Sequence, residues 1–297
     1  METQHGLGWL PDVPKPTDYS QEHAEIGSLL GRTTLAASVG ASTAAKGAGT
    51  AKAAAPPAQV DLRAWFSPIE DQGHLGSCTA NAAVGLLEYF ERRASGSYID
   101  ASRLFVYKAE RNLLGVTGDT GAYLRTAMEA LVLFGAPPER YWPYDGNPAA
   151  SNPRYDVEPP AFCYAFGANY QAVKYFRLDP NATPAAQVLA NIKAFIAGGF
   201  PCMFGFPVYA EYDHPLPGGL VAFPTVGYRG GHANVVAGYD DNLMIGKDKG
   251  ALLIRNSWGP TWANSGYGWM SYRYVTEGLA TDWWSMISAK WVDTGQF

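Results

Sequence analysis

Cysteine is scarce in this chain, since its 297 residues include only Cys78, Cys163 and Cys202. Three thiols cannot form the disulfide framework that stabilises small secreted domains. Cys163 and Cys202 lie in apolar, strand-like runs, so we expect two buried free thiols, although a disulfide between them is an open alternative. No Cys-x-x-Cys pair or histidine-rich cluster is present, and we therefore expect neither a metal site nor a cofactor.

Charged residues are also few, at 16% of the chain, and the formal net charge is −5. No basic run is present that would indicate nucleic acid or an anionic membrane as a partner. The chain has no run of eighteen apolar residues that could span a membrane, and its N-terminus lacks the pattern of a secretory signal. We expect a soluble monomer of undetermined compartment that binds a peptide, a protein or a small molecule.

Apolar residues are plentiful, at 47% of the chain, which is enough for a large core. Helical periodicity dominates the first half, whereas β-branched and aromatic runs broken by Gly and Pro dominate from about Phe162 onward. Helices first and strands later predict an α+β protein with two lobes. The predicted helices begin at Ser77 and continue with Ser102–Arg111, Gly121–Gly135 and Pro184–Gly198.

The N-terminal part of the chain has a different composition. Residues 1–31 are rich in proline, which favours an extended segment over a helix. From Leu35 to Gln59 the sequence is almost entirely Ala, Gly, Ser, Thr and Pro, a composition typical of a flexible linker. We therefore divide the chain into an N-terminal segment, a linker, a helical lobe and a β-rich lobe, with the boundaries 1–31, 32–59, 60–160 and 161–297.

The stretch Gln72–Arg93 combines a glycine-punctuated loop with an amphipathic helix that starts at Ser77 and Cys78 and stops at Gly96. Cys78 therefore lies in the first turn, where unpaired N–H groups and the helix dipole favour a thiolate. The alternative is a buried cysteine that packs as a small hydrophobic residue. The helix alone does not decide between these interpretations.

Three segments together resemble the papain-like cysteine peptidases. They are Gln72 followed by Gly76-Ser77-Cys78, then Gly231-His232-Ala233, then Asn256-Ser257-Trp258-Gly259. The order Gln, Cys, His, Asn is that of the family, and the resemblance extends from Asp61 to about Tyr274. It implies a two-lobe fold with a helical N-terminal lobe and an antiparallel, β-barrel-like C-terminal lobe, and with the active-site cleft between them.

Two positions depart from the usual family signature, which has a cysteine three residues before the nucleophile and an aromatic residue just after it. Leu75 and Thr79 occupy these positions here. The first change removes a structural disulfide and the second removes a ring, but neither residue carries bond-breaking chemistry. The missing disulfide and the short N-terminal segment resemble the bacterial, xylellain-like members of the family.

The resemblance implies a role for each motif residue. Cys78 would attack a peptide carbonyl, His232 would hold and return the proton, and Asn256 would orient the imidazole. Gln72 and the Cys78 backbone N–H would donate to the oxyanion, and Trp258 would shield the His–Asn hydrogen bond. Taken singly, each could be an ordinary core, turn or loop residue. His5, His23, His74 and His214 lack supporting context and are expected at the surface.

Substrate binding is implied for the loop that precedes the third predicted helix, because bare glycine backbone there could pair with an extended peptide. As a lone motif this loop could equally be a turn. We expect the segment from Gly278 to Trp284 to lie near the floor of the main specificity pocket. If Trp283 or Trp284 narrows that pocket, small or medium apolar side chains would be favoured. The candidate substrate-binding residues are Gly76, Ser77, Gly118, Asp119, Thr120, Gly121, Gly231 and Trp258.

The resemblance also implies that residues 1–31 are an inhibitory leader. Without a helical leader motif, we expect an extended segment in the cleft, with Trp9, Leu10 or Tyr19 in a subsite; a disordered tail is the alternative. The sequence therefore favours a papain-like peptidase made as a latent precursor. Two alternatives are another Cys–His hydrolase, such as a peptidoglycan endopeptidase, and a non-catalytic, peptide-binding scaffold of the same family.

Overall fold

The structure is a computed structural model that describes residues 5–35, 56–146, 153–170, 174–225 and 227–297. Most of the predicted linker, residues 36–55, lies outside the described residues. The fold is the α+β, papain-like arrangement expected from the sequence. The division into an N-terminal segment, a linker and two lobes stays a prediction.

Helices are the main secondary structure of the described residues up to Phe134. The longest, α2, begins at Cys78 and ends where Gly96 adopts a left-handed conformation (φ 79°) that favours glycine. Ser102 caps α3, since its hydroxyl accepts the backbone N–H of Phe105 at 3.1 Å. The helices of this part are α1 (Ala24–Leu30), α2 (Cys78–Ser95), α3 (Arg103–Leu114) and α4 (Leu124–Phe134).

The later part of the chain is built around one twisted sheet. Its strands are β1 (Gln59–Asp61), β2 (Lys174–Arg177), β3 (Cys202–Val208), β4 (Leu220–Val221), β5 (Gly230–Ile245), β6 (Asp248–Arg255), β7 (Tyr267–Ser271) and β8 (Thr281–Ile287). The strand order is β2-β8-β3-β5-β6-β7-β4, and β1 pairs with β5. Within the described residues the sheet is open, with β2 and β4 at its ends, so the barrel-like closure implied by the resemblance is not found.

Five further α-helices are described in the later part of the chain, namely α5 (Ala161–Gly167), α6 (Ala185–Ala197), α7 (Ala210–Asp213), α8 (Arg273–Thr276) and α9 (Ala289–Val292). The helix α2 packs between α3 and α4 on one side and the sheet on the other. Its apolar residues from Ala80 to Phe90 are therefore buried, which fixes the position of its N-terminus relative to β5.

Two local predictions were wrong. Cys163 lies in helix α5 and not in a strand, because the short aromatic run around it packs Tyr164 against Phe105 and Phe134. The N-terminal segment is not extended throughout, since α1 forms and buries Ile26 and Leu30. Cys163 and Cys202 are buried and unpaired, so no disulfide joins them.

Among the described residues, no helix is both long enough and apolar enough to cross a membrane. The same residues contain no cluster of three or more His, Cys, Asp or Glu side chains that could hold a metal ion.

Candidate active site

Cys78 is the first residue of α2, and its side chain is completely buried. Burial raises the pKa of its thiol to about 12, against the opposing effect of the backbone amides of Gly8, Ala233 and Thr79, which lower it. Ala233 belongs to β5 and Gly8 to the N-terminal segment. The thiol is therefore enclosed by three parts of the chain, and its neutral form is favoured in this state.

His232 lies on β5 next to Ala233, and it too is fully buried. Its Nε2 lies 2.8 Å from Oδ1 of Asn256, the residue that follows β6. Burial lowers the pKa of the imidazole to about 4, while the Asn256 hydrogen bond raises it slightly. Nδ1 of His232 has no hydrogen-bond partner among the described residues. The ring is thus fixed through one nitrogen, and the other is available for a proton.

Gln72 is held in the same site by Ser257, a residue to which sequence reasoning gave no role. The Ser257 hydroxyl donates to Gln72 Oε1 at 2.6 Å, and the Ser257 N–H donates to Asn256 Oδ1 at 2.8 Å. Gln72 Nε2 therefore points away from Ser257 and donates to the carbonyls of Leu75 and Gly6. A single serine orients both amide side chains, although its hydroxyl gives no sequence signal of that kind.

Trp258 covers the histidine, with its ring centroid 4.8 Å from that of His232. His5 of the N-terminal segment also stacks on Trp258, with the ring centroids 4.9 Å and the ring planes 7° apart. The expectation that His5 is a surface residue is therefore wrong, and burial lowers its pKa. His74 and His214 are exposed, and His23 is half-buried against Tyr19.

Comparison with known proteins identifies the family. Residues 56–286 match the model of the papain family of cysteine proteases. The chain belongs to this family. It is a cysteine-type peptidase by that membership and by its similarity to other cysteine proteases.

Xylellain, a cysteine protease from Xylella fastidiosa, is a similar solved structure, with a TM-score of 0.74 and 30% identity over 96% of this chain and 97% of xylellain. An uncharacterised peptidase C1-like protein of Acanthamoeba polyphaga mimivirus is 35% identical over 72% of this chain and 68% of its own length. Cathepsin K of Gallus gallus is 29% identical over 71% of this chain and 58% of its own length.

In this papain-family chain the N-terminal segment lies along the site. The Trp9 N–H donates to the Gly231 carbonyl at 3.1 Å, and the Leu10 N–H donates to the Ala122 carbonyl at 3.0 Å. The Ala122 N–H in turn donates to the Gly8 carbonyl at 2.9 Å. Ala122, which the sequence analysis did not single out, therefore pairs with the segment in both directions.

Three of the candidate substrate-binding glycines contact this segment closely. A Cβ atom on Gly121 (φ 70°) would lie 2.1 Å from the Gly8 carbonyl oxygen, and one on Gly231 would lie 2.1 Å from the Trp9 oxygen. A Cβ atom on Gly76 would lie 3.3 Å from Gly8 Cα. At Gly121 and Gly231, only a residue without a Cβ atom leaves room for the backbone of the N-terminal segment.

The Trp9 side chain occupies a pocket in the β-rich part and is 5% exposed. Its indole N–H donates to Asp282 Oδ2 at 3.1 Å, and the ring passes over Gly205, where a Cβ atom would lie 1.9 Å from the indole. Asp282 belongs to the segment expected at the pocket floor. The pocket beside this segment therefore accommodates a side chain as large as an indole. Tyr19, the third proposed subsite residue, is 37% exposed.

Asp119 connects the loop of residues 118–121 to the segment before Cys78 by hydrogen bonds. Its carboxylate accepts the Gly76 N–H at 2.9 Å and the hydroxyl of Tyr107. Leu75, beside Gly76, stands where the family signature has its disulfide cysteine. Charge-assisted hydrogen bonds therefore join the two loops where no disulfide is present.

The remaining candidate binding residues make their hydrogen bonds outside the N-terminal segment. The Gly118 N–H donates to the carboxylate of Asp156, and the Thr120 hydroxyl donates to the Gly121 carbonyl at 3.0 Å. The Ser77 hydroxyl lies 2.6 Å from the Tyr144 hydroxyl and is buried. Their roles in substrate binding stay predictions.

Proposed function

We propose that this papain-family chain hydrolyses peptide bonds with Cys78, His232 and Asn256, and that Gln72 stabilises the oxyanion. The proposal rests above all on the 2.8 Å contact between His232 Nε2 and Asn256 Oδ1, which leaves Nδ1 free in a buried site. That site adjoins a thiol at the N-terminus of a long helix, and the amide of the neighbouring Ala233 faces the sulfur.

In the reaction, the Cys78 thiol gives its proton to His232 Nδ1, and the sulfur forms a bond to the peptide carbonyl carbon. The C–N bond then breaks as the imidazolium returns that proton to the leaving amine. Water attacks the resulting thioester, losing a proton to His232, and the thiol leaves with the proton that the ring returns. Asn256 accepts from Nε2–H throughout and keeps the ring in one orientation.

The oxyanion would lie between the Gln72 side-chain amide and the Cys78 backbone N–H. Gln72 is suited to this role because Ser257 donates to its side-chain oxygen and the Leu75 carbonyl accepts one of its N–H groups, which leaves the other N–H for a group in the cleft. Loss of one such donor costs about 2.7–4 kcal/mol of transition-state stabilisation.

We further propose that the chain is made as a latent precursor whose residues 1–31 act as an inhibitory leader. The Gly6 carbonyl accepts from Gln72 Nε2 at 3.1 Å and so occupies the proposed oxyanion donor. The backbone of Gly8 covers Cys78, and burial there favours a neutral thiol beside a neutral imidazole. A peptide could not reach the sulfur while this leader is in place.

The test is to incubate the purified chain with reductant from neutral to mildly acid pH and to follow its intact mass. We expect the wild type to lose a piece that ends within residues 32–60, and the Cys78→Ala variant to stay intact. Cys163→Ala is the matched control, because it removes a buried thiol that lies in α5 beside the Tyr141 carbonyl, and it should be processed like wild type.

If no variant is processed, the leader is cut by an added protease and removed in mild acid, and labelling of the released chain by a thiol-directed peptide epoxide then tests Cys78. Labelling at Cys78 would support a peptidase that needs an external activator. Absence of labelling would contradict the proposed catalytic role and favour a non-catalytic scaffold.

A further inference from the structure

The leader carries carboxylates that pair with cations of the rest of the chain. Asp12 and Asp18 bind Arg125 on α4, Asp18 also faces Arg177 on β2, and Glu25 binds Lys174 at the start of β2. Acidic residues that follow Trp9 in the leader thus form ion pairs with basic residues of α4 and β2.

Arg125 depends on the leader for all of its polar contacts. Its Nε donates to Asp12 Oδ2 at 2.6 Å, its Nη2 donates to the Val13 carbonyl at 3.2 Å, and both terminal nitrogens bind the Asp18 carboxylate. The side chain is only 8% exposed, and its guanidinium carbon lies 5.0 Å from the centroid of the Trp284 ring. Among the described residues, no hydrogen bond or ion pair joins it to an acidic group outside the leader.

The neighbouring charged groups differ from Arg125 in this respect. Arg177 forms ion pairs with two carboxylates outside the leader, Asp179 at 3.0 Å and Asp282 at 3.2 Å, so it keeps these two partners when the leader leaves. Lys174 is partly exposed, and a lysine there can be solvated by water. Glu129 lines the same cavity as Arg125 and interacts with Tyr175. Of Arg125, Arg177 and Lys174, Arg125 is therefore the buried cation that loses all of its carboxylate partners when the leader leaves.

Arg125 also lies at a fixed place along the cleft. It follows Ala122, whose backbone pairs with Gly8 and Leu10, by three residues. Asp12 follows Trp9 by three residues, and an extended chain covers about 10 Å in that distance. A bound peptide with one side chain in the Trp9 pocket therefore places another of its side chains, a few residues farther from Cys78, near the Arg125 guanidinium.

We propose that Arg125 is a specificity-determining residue of the released enzyme. It selects substrates that carry Asp or Glu two to four positions from the residue that fills the Trp9 pocket, on the side farther from the scissile bond. Once the leader has left, the Arg125 guanidinium lacks a carboxylate partner, and a bidentate carboxylate of a substrate satisfies its N–H donors. This inference rests on the proposed peptidase function and adds a substrate class to it.

The test uses pairs of quenched-fluorescence peptides, each with a single tryptophan. The two peptides of a pair differ at one position only, which is Asp in one and Asn in the other. That position lies two, three or four residues from the tryptophan, on either side. The enzyme is obtained by processing the full chain and removing the leader in mild acid. We expect kcat/KM to favour Asp over Asn by about tenfold for one position, and the preference to shrink as salt is added.

Arg125→Gln should bring the Asp/Asn ratio of kcat/KM close to one. Arg125→Lys, which keeps the charge and loses the fork, should retain part of the preference and serves if the Gln variant does not fold. Arg140→Gln is the matched control, because Arg140 is an exposed arginine that contacts Tyr141, and it should keep the full ratio.

Cleavage of the Asn peptides without an Asp preference at any position overturns this inference alone. An Asp preference that persists unchanged in Arg125→Gln also overturns it, since another group would then bind the carboxylate. Cleavage of neither peptide overturns the proposed function and the inference with it.

Discussion

Gln72 connects the two states of the site through a single amide group. Ser257 fixes its oxygen, so its Nε2 can donate either to the Gly6 carbonyl of the leader or to an oxyanion in the free cleft. The same hydrogen bonds that make the residue useful in the proposed transition state also hold the leader. The proposed roles of Gln72 in latency and in catalysis therefore both depend on the orientation of this side chain.

Gln72→Ala in the released enzyme should lower kcat by about 100- to 1000-fold, because one preorganised oxyanion donor is lost, with a smaller effect on KM. Steady-state kinetics on one fluorogenic peptide measures both constants. Ser257→Ala keeps the amide but removes the hydrogen bond that orients it, and a fall of roughly tenfold is expected from one lost neutral hydrogen bond. A kcat of Gln72→Ala within threefold of wild type would contradict the oxyanion role.

At the scale of elements, the sequence predicts those features that a local pattern encodes. The helix from Cys78 to Gly96 follows from the spacing of its apolar residues and its left-handed glycine stop. The short run around Cys163 is apolar and aromatic without a clear period, so its helix could not be told from a strand. The order of the motif residues predicts the family, since each motif is a short contiguous run.

Other parts of the site depend on pairing between distant segments, which no local pattern reports. Ala122 pairs with the leader by backbone atoms, Asp282 receives the indole of Trp9, and Arg125 receives Asp12. None of these residues lies in a motif, and each contact joins positions more than one hundred residues apart. Such contacts become visible only when the leader and the cleft are seen together.

Trp9 is the main apolar anchor of the leader's extended part. We therefore expect Trp9→Ala to expose the active site of the unprocessed chain more often. Removing a buried aromatic side chain costs about 3–5 kcal/mol, so the site should open at least tenfold more often. The rate at which a thiol-directed peptide epoxide labels Cys78 in the full-length chain measures this opening. Trp65→Ala is the matched control, because that tryptophan is 40% exposed and lies outside the cleft. Equal labelling of wild type and Trp9→Ala would show that the indole does not hold the leader.

At the scale of the whole molecule, the leader is attached at two separate places. Its extended part contacts the cleft, whereas α1 and the residues after it reach the C-terminal segment, where the Thr34 N–H donates to the Phe297 carbonyl at 3.0 Å. Leu35 is buried there against Gly198. Because Thr34 and Leu35 lie at the start of the predicted linker, a cut in the linker after Leu35 would sever the chain without removing either attachment.

We expect the cut leader to stay bound at neutral pH and to leave in mild acid. His232 is buried and has a pKa lowered to about 4 when covered, whereas an exposed imidazole takes up a proton near its ordinary value of 6.5. Below that value the uncovered state binds more protons, so the covered state loses stability as the pH falls from about 6.5 toward 4. Above pH 6.5 the imidazole is neutral in both states and exerts no such effect.

Native mass spectrometry of the Cys78→Ala chain, cut in the linker by an added protease, measures this equilibrium without further self-cleavage. The two pieces should travel together at pH 7.5 and separate near pH 5. His232→Gln in the same background is the control, because a residue that does not titrate should keep the complex intact at pH 5. Release of the leader at both pH values would show that covalent attachment holds it. Equal acid release in the His232→Gln variant would assign the effect to other groups, such as the carboxylates that bind Arg125.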